Sequence, residues 1–133
     1  MIQIYLLSII YMLISALVLL LDDYRQKLSF LLRFRAMLEE NNKSLNVYFV
    51  IGLAISMLML FLPIAPGPMI LGDLLPASWL LFLSFYFRVI YSEKHKAKYR
   101  FHFDGNGKKR TILGKITLIV LFIHFLLPSF VLI

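Results

Sequence analysis

Four long stretches of this chain carry no charged residue. Met1–Leu21 and Ser44–Gly72 lack Asp, Glu, Lys and Arg altogether. So do Leu74–Phe87 and Ile116–Ile133, where only His124 titrates near neutrality. A hydrocarbon layer of roughly 30 Å takes about 20 apolar residues as helix. Only helices and closed barrels satisfy their own backbone polar groups there. The leucine-rich runs do not alternate as barrel strands do, so helices are expected. The pattern predicts four spans, at about 2–21, 45–62, 74–91 and 113–132. The expected fold is all-α, an integral membrane four-helix bundle, with residues 1–133 forming one domain. The first run has no basic start, exceeds the length of a signal core and offers no small-x-small cleavage site in "SALVLLLDDY". It is expected to be a retained span.

The polar connections have patterns of their own. "DDYRQKLSFLLRFRAMLEE" sets Arg25, Gln26, Ser29, Arg33 and Glu40 on one arc at 100° per residue. Tyr24, Leu28, Leu31, Leu32, Phe34 and Leu38 take the wide opposite side. That predicts an amphipathic helix in the headgroup plane, or one docked on a partner subunit. Asn41-Asn42 reads as its stop, and Ser44 as a cap for the second span. In the second polar connection, Tyr99, Phe101 and Phe103 alternate with Arg100 and His102, and the turn residues "DGNG" then precede "KKRTI". This signal admits a short hairpin. "DGNG" also opens like a calcium loop but lacks the downstream bidentate Glu.

Between the second and third spans stand Pro63, Pro66, Gly67, Pro68 and Gly72. Proline lacks an N–H and restricts the residue before it, so the second helix must stop near Leu62. Asp73 then precedes "LLPASW". A side-chain acceptor there caps the free N–H groups of a new helix at the positive end of its dipole. Pro76 suits an opening turn. As the only acid beyond the basic connections, Asp73 is also a candidate for binding a cation, a proton or a substrate amine.

The distribution of basic residues sets the expected orientation. Arg25, Lys27, Arg33, Arg35 and Lys43 lie between the first two spans. Arg88, Lys94, Lys96, Lys98, Arg100, Lys108, Lys109, Arg110 and Lys115 fall in the stretch from the end of the third span to the start of the fourth. These are all fourteen Lys and Arg in the chain, so both basic connections should be cytoplasmic and both termini extracytoplasmic. The expected location is the cell (inner) membrane. The net charge of +7 and pI of about 9.8 are then explained by sorting and by attraction to anionic headgroups. No nucleic-acid-binding signature accompanies the charge, and no nucleic-acid partner is expected. The mean hydropathy of +0.85 and a hydrophobic share of 61% agree with a membrane protein. With no cysteine, thiol chemistry and thiolate metal sites are excluded.

Within the spans, Ser8, Tyr11 and Ser15 share a face, Gly52 and Ser56 stand four apart, and Ala77, Ser84 and Arg88 lie along one side. Small residues at such spacing pack helices together. Arg88 can snorkel to the inner headgroups. His124, counted nine residues past Lys115, falls near mid-membrane. Pro128 cannot donate to the His124 carbonyl, which is left for a neighbour or water. The ring is expected to be neutral and bonded to a hydroxyl such as Ser8, Ser15 or Ser56; the competing role is a proton relay. No carboxylate pair, activated nucleophile, phosphate loop or metal-ligand cluster is legible, so neither an enzyme nor a cofactor or metal is expected. The expected function is a non-catalytic accessory or assembly subunit, partnered by membrane lipids and by other subunits or its own copies. The alternative is an oligomeric small transporter or channel using Asp73 and His124.

Overall fold

A computed structural model of the chain describes residues 2–21, 29–61, 74–95 and 106–126. Among them, five helices occur and no strand. The first apolar run gives α1, Ile2–Leu20. The amphipathic segment gives α2, Ser29–Glu40, with residues 22–28 outside the described set. The third helix, α3, is Asn42–Phe61, and α4 is Leu74–His95. The last, α5, is Asn106–Leu126. Three helices are long and apolar enough to cross a membrane, at Gln3–Leu20, Asn42–Phe61 and Leu74–Tyr91.

Two boundaries differ from expectation. "KKRTI" is not the second strand of a hairpin but part of the first two turns of α5. Lys and Arg are good helix formers, and this segment has no alternation of its own. Ile112, Ile116 and Ile119, all exposed, continue one helical stripe down into the apolar run. The residues proposed as the other strand, 99–103, lie outside the described residues. The second departure is at Asn41, the one residue between α2 and α3. Its N–H donates to the Met37 carbonyl at 3.1 Å, and its own carbonyl accepts from the Leu45 N–H at 3.0 Å. Its side-chain Oδ1 accepts from the Lys43 N–H at 2.9 Å. Asn41 therefore caps α3, the role expected of Ser44, because its side chain already sits beside the first free N–H groups.

The helices pack as two antiparallel pairs. Along α3 and α4, Ser56 meets Ala77, the Phe49 ring stands edge-on to Phe85 at 5.1 Å, and Tyr48 meets Phe87 at 5.5 Å. Along α1 and α5, His124 meets Tyr5, while Gly114 lies against Ala16 and Leu20. Both pairings run in opposite sequence directions. Met12, Leu45, Met59, Leu80, Leu83 and Phe87 form the centre, each at most 2% exposed. Dispersion between these close-packed side chains and the hydrogen bonds between helices hold the contact together.

α2 turns its Leu31, Phe34 and Leu38 stripe onto the other helices. Leu31 and Leu38 are buried, and the Phe34 ring stands edge-on to Tyr48 at 5.4 Å. Phe30, Leu32 and Met37 remain exposed. The wide apolar side seen in the sequence is thus split between the chain's own core and its surroundings. An i,i+4 pair between Arg35 Nε and Glu39 Oε1 at 2.9 Å supports the outer flank.

Candidate functional site

The polar side chains of α1, α3 and α4 converge on one seam. Tyr11 and Tyr48 stack with ring centroids 4.6 Å apart and planes at 16°. The Tyr11 hydroxyl donates to the Tyr48 carbonyl at 3.2 Å and lies 3.4 Å from Ser84 Oγ. The Tyr48 hydroxyl lies 2.6 Å from Ser15 Oγ. Ser15 also donates to the Tyr11 carbonyl at 2.8 Å, and Ser84 to the Leu80 carbonyl at 2.8 Å. A glycine makes this convergence feasible: a Cβ on Gly52 would collide with Ser84 Oγ and with the hydroxyl end of the Tyr11 ring. Nearer the opposite end of α3, Ser56 donates to the Ala77 carbonyl at 2.7 Å. Each hydroxyl in the seam thus has a partner, as a low-dielectric interior demands.

A second polar cluster joins α1 to the end of α5. The Tyr5 hydroxyl donates to the His124 carbonyl at 2.9 Å, and the Tyr5 and His124 rings lie 4.7 Å apart. Ser8 donates to the Tyr5 carbonyl at 2.7 Å. Its Oγ lies 3.4 Å from His124 Nε2. With the serine proton spent on that carbonyl, a proton on Nε2 would complete the contact. His124 is fully buried. It is level with the opening turns of α1 and only two residues from the last described residue of α5. A third link runs from Trp79 Nε1–H to Thr117 Oγ1 at 3.1 Å.

The charged candidates do not meet this chemistry. Arg88 is exposed, and its Cζ stands 4.5 Å from the centroid of the Phe49 ring. Arg33, Lys108 and Lys109 are exposed, whereas Arg110 is half-buried. Lys94 lies in the last turn of α4. Pro76 is buried in the first turn of α4, which begins at Leu74. Asp73, Pro63, Pro66, Gly67, Pro68, Gly72, Arg25, Lys96, Lys98 and Arg100 fall outside the described residues. Among the described residues, no group of three or more His, Cys, Asp or Glu could hold a metal ion.

Sequence reasoning put Ser8, Tyr11 and Ser15 on one face but missed Tyr48 and Tyr5 as their partners. The faint signal was spacing: Tyr5 and Ser8 stand three apart, and Tyr48 and Gly52 four apart, each on one helix face.

The described residues thus make an all-helical protein, with three helices suited to a bilayer and a hydroxyl-lined seam between them. Over residues 1–124 the chain matches, and belongs to, a protein family of unknown function. No curated protein and no solved structure matches it.

Proposed function

We propose that this chain is a four-span protein of the cell membrane that acts as a non-catalytic accessory or assembly subunit of a larger membrane complex. The main support is how the interior polar groups are used. The hydroxyls of Tyr11, Ser15, Tyr48, Ser56 and Ser84 each meet a group on a neighbouring helix, and Ser15 and Ser84 also donate to carbonyls of their own helices. Such groups act as fasteners, whereas a substrate path needs polar groups that can exchange partners. Membrane residence is supported by the outward side chains. Leu6, Ile10, Val47, Val50, Leu58, Phe82, Phe85, Ile119 and Phe122 are all at least 42% exposed. Apolar surface on that scale marks contact with lipid or with other proteins. With the basic connections cytoplasmic, both termini lie on the extracytoplasmic side.

Affinity purification of the tagged chain in a mild detergent tests the reading. The expected result is a stoichiometric membrane-protein partner that stays bound through size exclusion. Recovery of the chain alone and monodisperse would count against the subunit role. The transport alternative predicts that His124→Ala abolishes a measurable flux in proteoliposomes; the subunit reading predicts no flux to lose.

A further inference from the structure

We propose that Arg88 and the surface of α3 beside it form a binding site for the phosphodiester headgroup of an anionic phospholipid. This rests on the membrane reading above and names one lipid contact within it. Arg88 stands fourteen residues after the start of α4 and three before the end of its candidate span at Tyr91. At 1.5 Å per residue it lies roughly 21 Å along the helix, at the boundary between acyl chains and inner headgroups.

Its guanidinium is not loose. It lies against the face of Phe49, and that ring is braced edge-on by Phe85. A guanidinium held against a ring keeps its N–H edges available in its own plane, the geometry that grips a phosphate with two parallel hydrogen bonds. Arg88 is exposed, so an anion can reach the guanidinium from outside the helix pair. On α3, Asn42 and Asn46 precede Phe49 at helical spacing on the same face, and both are exposed. They carry amide donors toward the same end of the pair. Around this polar spot, Val50, Phe85 and Val89 are 57%, 46% and 55% exposed. An apolar collar around a bound phosphate suits a lipid, whose acyl chains would cover it, and not free phosphate.

The test uses the full chain in mild nonionic detergent, titrated with phosphatidylglycerol or phosphatidylcholine. Lipid retention is read by native mass spectrometry, together with the thermal unfolding midpoint. Wild type should retain phosphatidylglycerol preferentially and be stabilised by it. Arg88→Gln should weaken that binding about tenfold and Arg88→Lys, which keeps charge but loses the fork, about threefold. Lys109→Gln, removing a cation that acts only through diffuse attraction, should cost about twofold. Phe49→Leu keeps the charge and removes the ring; it should cost about twofold to threefold, and it serves if Arg88→Gln fails to fold.

The site is refuted if Arg88→Gln binds within twofold of wild type, if Lys109→Gln loses as much, or if inorganic phosphate reproduces the stabilisation. Carbonate washing of the host membranes separates the two levels. Release of wild type into the wash overturns the membrane reading and the site together. Retention with an unaffected Arg88→Gln overturns the site alone.

Discussion

The two helix pairs solve the same packing problem differently. Between α3 and α4, contact is rich in rings and hydroxyls, and α1 enters that contact through Tyr11 at Gly52. Between α1 and α5, a bare approach at Gly114 serves one end, and the Tyr5–Ser8–His124 cluster ties the other. The seam is redundant: Ser15 keeps a carbonyl acceptor even if the Tyr48 hydroxyl is removed. At the α1–α5 contact Ser8 likewise keeps the Tyr5 carbonyl as an acceptor. The approach at Gly52 is the tighter of the two, so loss of space should damage the seam most, and loss of a single hydroxyl should cost less than that at either contact.

Mutations can test that contrast, beginning with the largest effect. Gly52→Val drives a branched side chain into Tyr11 and Ser84 and should destabilise by about 2–3 kcal/mol, as overpacking does. A fall in the detergent-denaturation midpoint together with lower expression would register it; an unchanged midpoint would mean that α1 does not enter the α3–α4 contact here. Gly114→Val should cost less, about 1–2 kcal/mol. The nearest atom to its Cβ, Leu20 Cγ at 2.8 Å, belongs to a side chain that can turn away, although the Ala16 carbonyl at 3.2 Å cannot. The difference between the two valine variants, measured under identical conditions, is the quantity of interest.

Removing hydroxyls comes next. Tyr48→Phe keeps the ring contacts with Tyr11, Phe34 and Phe87 and deletes the 2.6 Å bond to Ser15; about 1 kcal/mol is expected. Tyr5→Phe deletes the donor to the His124 carbonyl, and the typical cost of such a bond between membrane helices is about 0.6 kcal/mol. Its sharper readout is local: amide exchange at the end of α5 should accelerate while the centre of α3 stays protected. Equal acceleration in both would contradict the separation of the two contacts. Asp73→Asn should be near neutral for folding if the side chain only caps α4, because Asn caps about as well; a large drop in thermal midpoint would rule out that limited role.

The positions of α1, α3 and α4 were legible because an uncharged run of bilayer length allows few other structures. Spacing alone also revealed which serines share a face. Partners were not legible, because periodicity fixes the angle of a residue about its own helix but not which neighbour lies opposite. Nothing in "LNVYFV" says that Tyr48 will stack on a tyrosine 37 positions earlier. The start of α5 was missed for a different reason. Turn residues and charge suggested an interruption, yet lysine and arginine continue a helix readily once it has begun.

The junction at Asn41 has a mechanical consequence. Main-chain hydrogen bonds continue through this residue on both sides, leaving no slack between α2 and α3. Tilting one must swing the other, like two segments of an arm sharing a stiff elbow. Since Phe34 on the forearm rests against Tyr48 on the upper arm, pulling α2 from its seat would lever directly on the tyrosine pair in the interior.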